Sequence, residues 1–215
     1  MALPSRIDYT IPTTDIPEPV VSWALDPERC ALLLHDLQPH FLRPFSPAMR
    51  EQLTANVDTI AAACRAQGVP IAHAMQPDDQ TPAERGLLTE FWGPGPLSSD
   101  DSGAPDLRLQ AREGEIVIIR RRYNAFLGTG LDAWMRQQGR DQLIVCGIYA
   151  HVGCLMTSAH AFMTDRQPFL VADGTADFSS GEHRMALEYV TSRCGVCVTT
   201  EDVVDILSCS QQLSA

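Results

Sequence analysis

The feature that most constrains this chain is the alternation of short, almost wholly apolar runs with segments whose apolar residues recur every three or four positions. Residues 30–35 (CALLLH) are nearly unbroken in hydrophobicity, the pattern of a strand buried on both faces. Ser46 and Pro47 then suit the cap and first position of a helix. Met49, Leu53, Val57, Ile60, Ala61 and Cys64 form one apolar stripe behind them, and Gly68 ends it. Further strands are expected at residues 70–76, 116–120, 142–150, 168–174 and 196–199. Helices are expected at 83–91, 131–138, 154–165 and 181–193, with a last one that begins at 201 and frays at 207. Six strands separated by helices imply an α/β chain, a parallel sheet with crossovers on both faces. In such sheets a ligand sits beyond the carboxyl ends of the strands, where the strand order reverses. Polar residues at strand ends are therefore the candidates for function.

The rest of the chain fits around this body. Pro4, Pro12, Pro17, Pro19 and Pro27 make residues 1–29 an extended arm, which Trp23 and Leu25 are expected to dock. The body is expected over residues 30–207, with a tail at 208–215. Residues 93–106 (GPGPLSSDDSGAPD) read as a loop, because the alternation resumes after them. With 16 basic and 27 acidic residues the net charge is −11, which argues against a nucleic-acid-binding face. No apolar run approaches the roughly 20 residues that span a bilayer, and the N-terminus lacks a basic-then-apolar leader. A cytoplasmic protein with no membrane partner is expected. Seven cysteines, several inside apolar runs, suggest free buried thiols rather than a disulfide framework.

Asp36 directly follows the first apolar run, where it either caps the next loop or does chemistry. Gln76 ends the second strand. Arg120, Arg121 and Arg122 end the third, and strand alternation would put Arg120 and Arg122 on one face. They are either a solvated cluster or a clamp for a carboxylate-bearing ligand. Gly153 and Cys154 fall where a strand passes into a helix. There they either hold an anion and a reactive thiol or simply pack. Asp173 and Asp177 suit caps. Cys194 and Cys197 have zinc or redox spacing without a second ligand pair, so buried cysteines are expected, and His73, His160 and His183 are expected to be structural.

The segments HDLQPHFLRPF, AMQP, ERGLLTEFWGPG, RRRYNAF, GIYAHVGC and FLVADGTADFS together resemble the isochorismatase branch of the isochorismatase-like (cysteine hydrolase) superfamily, from about residue 16 to residue 205. The likeness is closest to the stand-alone phenazine-pathway type, and nearly as close to the isochorismatase domains of siderophore synthesis. It implies a three-layer α/β/α, doubly wound fold with a six-stranded parallel sheet of order 3-2-1-4-5-6, and a homodimer. It also implies a cis peptide before Tyr149 and a small-molecule substrate, with no metal and no organic cofactor. The implied reaction is hydrolysis of an enolpyruvyl (vinyl) ether, in isochorismate or 2-amino-2-deoxyisochorismate, to pyruvate and a dihydrodiol or its amino analogue. By position, Asp36 is the implied general acid, and Gln76, Arg85, Tyr123, Tyr149 and Gly153 line the pocket with Phe41 and Trp92 as apolar walls. Cys154 matches the nucleophile of the superfamily's amidases.

One departure bears on mechanism. The family pattern Lys-Trp-Arg-Tyr-Ser-Ala-Phe reads Arg120-Arg121-Arg122-Tyr123-Asn124-Ala125-Phe126 here. Arginine keeps the charge but does not give up its proton at working pH. Asn124 in place of serine suggests altered substrate contacts. The competing expectations are a thiol amidase or hydrolase working through Cys154, and a binding homologue impaired by Arg120.

Overall fold

The computed structural model describes residues 3–99 and 106–212. Six strands, β1 (Cys30–His35), β2 (Ile71–Met75), β3 (Ile116–Ile119), β4 (Gln142–Ile148), β5 (Gln167–Ala176) and β6 (Val196–Val198), form one parallel sheet. Their order is β3-β2-β1-β4-β5-β6. The order reverses between β1 and β4, so the crevice for a ligand opens at the carboxyl ends of those two strands.

Alternation along β1 sorts its side chains into two cores. Cys30, Leu32 and Leu34 pack with helix α2 (Pro47–Ala66), helix α8 (Thr200–Gln212) and the N-terminal arm. Ala31 and Leu33 face the opposite layer, made by α5 (Leu131–Gln137), α6 (Leu155–Met163) and α7 (Ser180–Arg193). Helix α2 begins as expected: the Ser46 hydroxyl accepts from the Met49 N–H, Pro47 occupies the first turn, and Gly68 follows the end at φ 66°.

Several boundaries differ from the sequence-based expectation. The helix expected at 83–91 is two short ones, α3 (Pro82–Arg85) and α4 (Leu88–Trp92), because Gly86 takes φ 57° between them. A four-residue helix, α1 (Pro39–Leu42), follows the loop after β1. Residues 150–154 form a π-helical turn ahead of α6. The last helix does not fray at 207. Val203 and Leu207 are fully buried, and no Gly or Pro interrupts residues 200–212. Of the expected tail, residues 208–212 continue that helix and 213–215 lie outside the described residues. The loop at 93–106 is irregular through residue 99, and its residues 100–105 also lie outside them.

The arm is docked further upstream than expected. Leu25 is buried and Trp23 half-buried, but the deepest anchors are Ile7 and Ile11. Ile7 forms an isolated parallel bridge with Phe45, donating from its N–H to the Pro44 carbonyl (2.7 Å) and accepting from the Ser46 N–H (2.8 Å). Replacing Ile11 by alanine is expected to lower stability by about 2–4 kcal/mol in urea denaturation, through a cavity under the arm. Val20→Ala, at an exposed position of the same arm, is expected to stay within about 0.5 kcal/mol of the parent.

Candidate active site

At the carboxyl end of β1 the chain turns sharply: Asp36 takes φ 54°, in the left-handed region, while its N–H still donates to the Ala74 carbonyl (2.9 Å). The turn aims a carboxylate into the crevice. Arg120, one residue past β3, reaches across to meet it. Its Nε donates to Asp36 Oδ1 (2.9 Å), Nη2 pairs with Oδ2, and Nη1 donates to the Arg122 carbonyl. Both residues are almost wholly buried, 5% exposed for Asp36 and 2% for Arg120. Burial pushes the Arg120 guanidinium down to about 9, still high enough to leave it cationic at neutral pH.

The arginine cluster therefore divides differently from the expectation. Because β3 ends at Ile119, strand alternation does not reach Arg122. Arg122 Nη1 donates to the Glu84 carbonyl (3.0 Å), and Arg121 lies 3.5 Å from the Glu84 carboxylate. Only Arg120 turns into the cavity.

A second cation comes from α3. A capping box between Thr81 and Glu84 starts this helix and places Arg85 on its last turn. Arg85 is buried, donates from Nε to the Gly93 carbonyl and from Nη1 to Gln76 Oε1 (3.1 Å), and lies so close to Gly95 that a side chain there would overlap it. Burial works against its charge. Among the described residues no carboxylate pairs with it. Gln76 is itself fixed by Gln38, whose amide oxygen accepts from the Gln76 N–H (2.8 Å) and whose NH₂ donates to the Gln76 carbonyl (2.9 Å).

Aromatic side chains form the remaining wall. The Trp92 indole N–H donates to the Tyr123 hydroxyl (2.6 Å), and the Tyr149 hydroxyl donates to the Phe41 carbonyl (2.8 Å). Phe178, just past β5, packs its ring 4.1 Å from that of Tyr149 and 5.7 Å from that of Trp92. Asp36, Phe41, Gln76, Arg85, Trp92, Arg120, Tyr123, Tyr149 and Gly153 all line one cavity. Asn124 is not at this wall; its Oδ1 accepts from the Phe126 N–H (2.8 Å) and caps a turn, contrary to the expectation of a substrate contact.

Cys154 is not at the wall either. It is the last residue of the π-helical turn, fully buried in the core, and burial drives its thiol far above the usual range. A nucleophilic cysteine needs access and a stabilised thiolate; this one has neither. Cys194 and Cys197 are likewise buried free thiols. Among the described residues no group of three or more His, Cys, Asp or Glu side chains gathers as metal ligands would.

The cavity also contains residues that strand-end reasoning passed over: Leu3 of the arm, His40, Leu88, Val152 and Phe178. Phe178 follows a strand end just as Asp36 does, so the same logic could have found it. His35 was legible only as the end of a strand. Its ring, fully buried, has Nδ1 3.2 Å from the Ile148 carbonyl and Nε2 3.1 Å from the Tyr123 carbonyl. Burial, with the Arg120 charge, pushes it well below the ordinary histidine range, so it is neutral and donates from one ring nitrogen. Gly147 and Gly153 leave room for it: a Cβ on the first would overlap the His35 backbone, and a Cβ on the second its ring. Between these glycines the Ile148–Tyr149 peptide is cis.

The two later acids act as supports. Asp173 accepts from the Thr200 N–H at the start of α8 (2.7 Å). The buried Asp177 carboxylate accepts from the His151 N–H (2.6 Å) and lies 2.7 Å from His151 Nδ1. Asp177 also takes part in the arm's docking, through a backbone N–H that donates to the Tyr9 hydroxyl (2.7 Å).

Comparison with known proteins bears on the family and the fold. Residues 30–202 match the isochorismatase domain family. The chain is 44% identical over 203 residues to the phenazine biosynthesis protein PhzD of Pseudomonas fluorescens, covering 94% of this chain and 98% of that protein. It is 42% identical over 210 residues to an isochorismatase of Bacillus subtilis, covering 96% of this chain and 67% of that one. Among solved structures, a cysteine hydrolase from Pseudomonas syringae superposes with a TM-score of 0.80 at 19% identity, covering 90% of this chain and 99% of that one, a likeness of fold.

His151 yields a test of the geometry. Burial opposes its charge, but the hydrogen bond and charge of Asp177 outweigh this and raise it above the ordinary value of 6.5. The pair then stabilises the fold fully below that value and loses its contribution as pH climbs through the raised one. The stability difference between the parent and His151→Gln is expected to be largest near about pH 6 and smaller near about pH 9 in denaturant titrations.

Proposed function

The chain belongs to the isochorismatase family and is a hydrolase of that type, and we propose that it cleaves the enolpyruvyl ether of isochorismate or 2-amino-2-deoxyisochorismate, releasing pyruvate. A vinyl ether is inert to water until its terminal methylene carbon is protonated. Asp36 supplies that proton. The resulting oxocarbenium ion takes up water, and the hemiketal collapses to pyruvate and the ring alcohol. The difficult step is proton transfer to carbon, so a carboxyl group aimed at the reacting atom is the central requirement.

The observation that carries this reading is Asp36, buried in the switch-point crevice with two guanidinium groups on the same cavity wall. The cavity's shape and charge suit a small ring acid bearing two carboxylates. Arg85 and the residues around Gly153 hold carboxylate oxygens, while Phe41, Trp92 and Phe178 face the ring and exclude water. The thiol alternative is disfavoured by the position of Cys154 behind the wall. The protein works as a cytoplasmic homodimer in secondary-metabolite biosynthesis. Support for the dimer comes from exposed Met156, Phe162 and Met163 on α6, with Met185 and Tyr189 on the adjoining α7.

Pyruvate release, coupled to lactate dehydrogenase, tests the reaction with each compound in turn. The parent protein is expected to turn over at least one of them, and Asp36→Ala to fall by about a thousandfold or more. Absence of pyruvate above the Asp36→Ala background for both would refute the proposal. Cys154→Ala is expected to keep kcat/KM within about threefold; a collapse to the level of Asp36→Ala would restore the thiol mechanism.

A further inference from the structure

The Asp36–Arg120 pair poses a problem for an acid catalyst, because a cation gripping both carboxylate oxygens favours the form without the proton. The Nε/Nη2 edge of Arg120 is committed to Asp36 and Nη1 to the Arg122 carbonyl. Arg85, the other cation of the cavity, has no carboxylate partner among the described residues. The two guanidinium groups are therefore unequal: one is ready for an anion, and the other must release one before accepting another.

We propose that a substrate carboxylate displaces Asp36 from Arg120, and that Asp36 takes up a proton as it is displaced, so that the catalytic acid is armed by binding. This inference rests on the vinyl ether reading above and adds a step to it. A monocarboxylate is satisfied by Arg85. A dicarboxylate also exchanges onto Arg120: the Arg120–Asp36 ion pair breaks, an Arg120–ligand ion pair forms, and one proton from solvent converts the Asp36 carboxylate to the acid.

The local charges suit this exchange. His35, whose Nδ1 lies 3.6 Å from Asp36 Oδ2, is held neutral by burial. Cys154, the last residue of the π-helical turn, is a neutral thiol. Tyr123 and Tyr149 present phenols and His40 an imidazole, and Arg85 is the remaining permanent charge among the described residues of the wall. Among the described residues no second carboxylate lines the cavity to compete for the proton. During turnover the proton moves from Asp36 to the methylene carbon. The attacking water returns one to Asp36, and the hemiketal hydroxyl passes its own to the departing ring oxygen. When pyruvate leaves, Asp36 loses its proton to solvent and pairs again with Arg120, which closes the cycle and helps expel the product.

Calorimetry tests this without turnover. Binding of 3-(carboxymethoxy)benzoate, a saturated ether dicarboxylate, is measured near pH 7.5 in buffers of different ionisation enthalpy, with 3-methoxybenzoate as the monocarboxylate control. The expected result is uptake of about one proton per dicarboxylate bound and close to none for the control. In Arg120→Met, Asp36 has no cation to deprotonate it, so uptake on binding the dicarboxylate should fall toward zero. An Arg120 that merely supported the wall would lose affinity without changing the proton count. Dicarboxylate binding without proton uptake in the parent protein overturns the proposal, as does failure to bind it at millimolar concentration. Pyruvate release is scored separately, so a protein that hydrolyses either substrate yet takes up no proton would retain the reaction and lose the exchange.

Discussion

A buried ion pair at the centre of a sheet is an awkward thing to build, and most of the architecture around Asp36 and Arg120 serves to make it possible. Removing two charges from water costs several kcal/mol each, and their attraction recovers this only when the geometry is good and the remaining polar atoms are satisfied. The left-handed turn at Asp36 aims the carboxylate at Arg120, and the third guanidinium nitrogen is taken by the Arg122 carbonyl. Loss of either partner alone would strand a charge in the interior. The pair sits at the point where strand order reverses, so the least tolerant electrostatic feature of the fold coincides with the place where a parallel sheet is open to a ligand.

This chain holds the pair with an arginine rather than a lysine. A lysine would offer a compact charge able to swing between partners, whereas a guanidinium locks onto a carboxylate along a planar edge. The same carboxylate thereby gains a firm anchor at rest and a larger barrier to being freed. The nearby thiol shows the opposite use of burial. Cys154 lies in the apolar core, where low polarity keeps the proton on sulfur.

The strands, and the polar residues at several of their ends, were legible because they leave local signatures, whereas the strand order came from the likeness to a known family. A nearly unbroken apolar run followed by an acid marks a buried strand and its exit, and Gln76 and Arg120 each end the same kind of run. What was not legible depends on contacts far apart in sequence. Nothing around His35 says that its ring will span the carbonyls of Ile148 and Tyr123, or that Gly147 and Gly153 are small for its sake. The direction of Arg122 was misjudged because the strand ends before alternation can reach it. The prolines of the arm implied an extended path, but only packing reveals that Ile7 and Ile11 hold it and that Leu3 arrives at the cavity wall.

The hydrogen bond from the Trp92 indole to the Tyr123 hydroxyl has a practical corollary. Trp23 belongs to the arm and packs against the core, and Trp134 lies on α5, so of the three tryptophans only Trp92 lines the cavity. Its ring is polarised by a phenol on one side and lies against Phe178 on another. A ligand entering there alters the surroundings of one chromophore and leaves the other two in place. The protein thus carries a built-in optical reporter of occupancy, one that can follow filling and emptying in real time without a label.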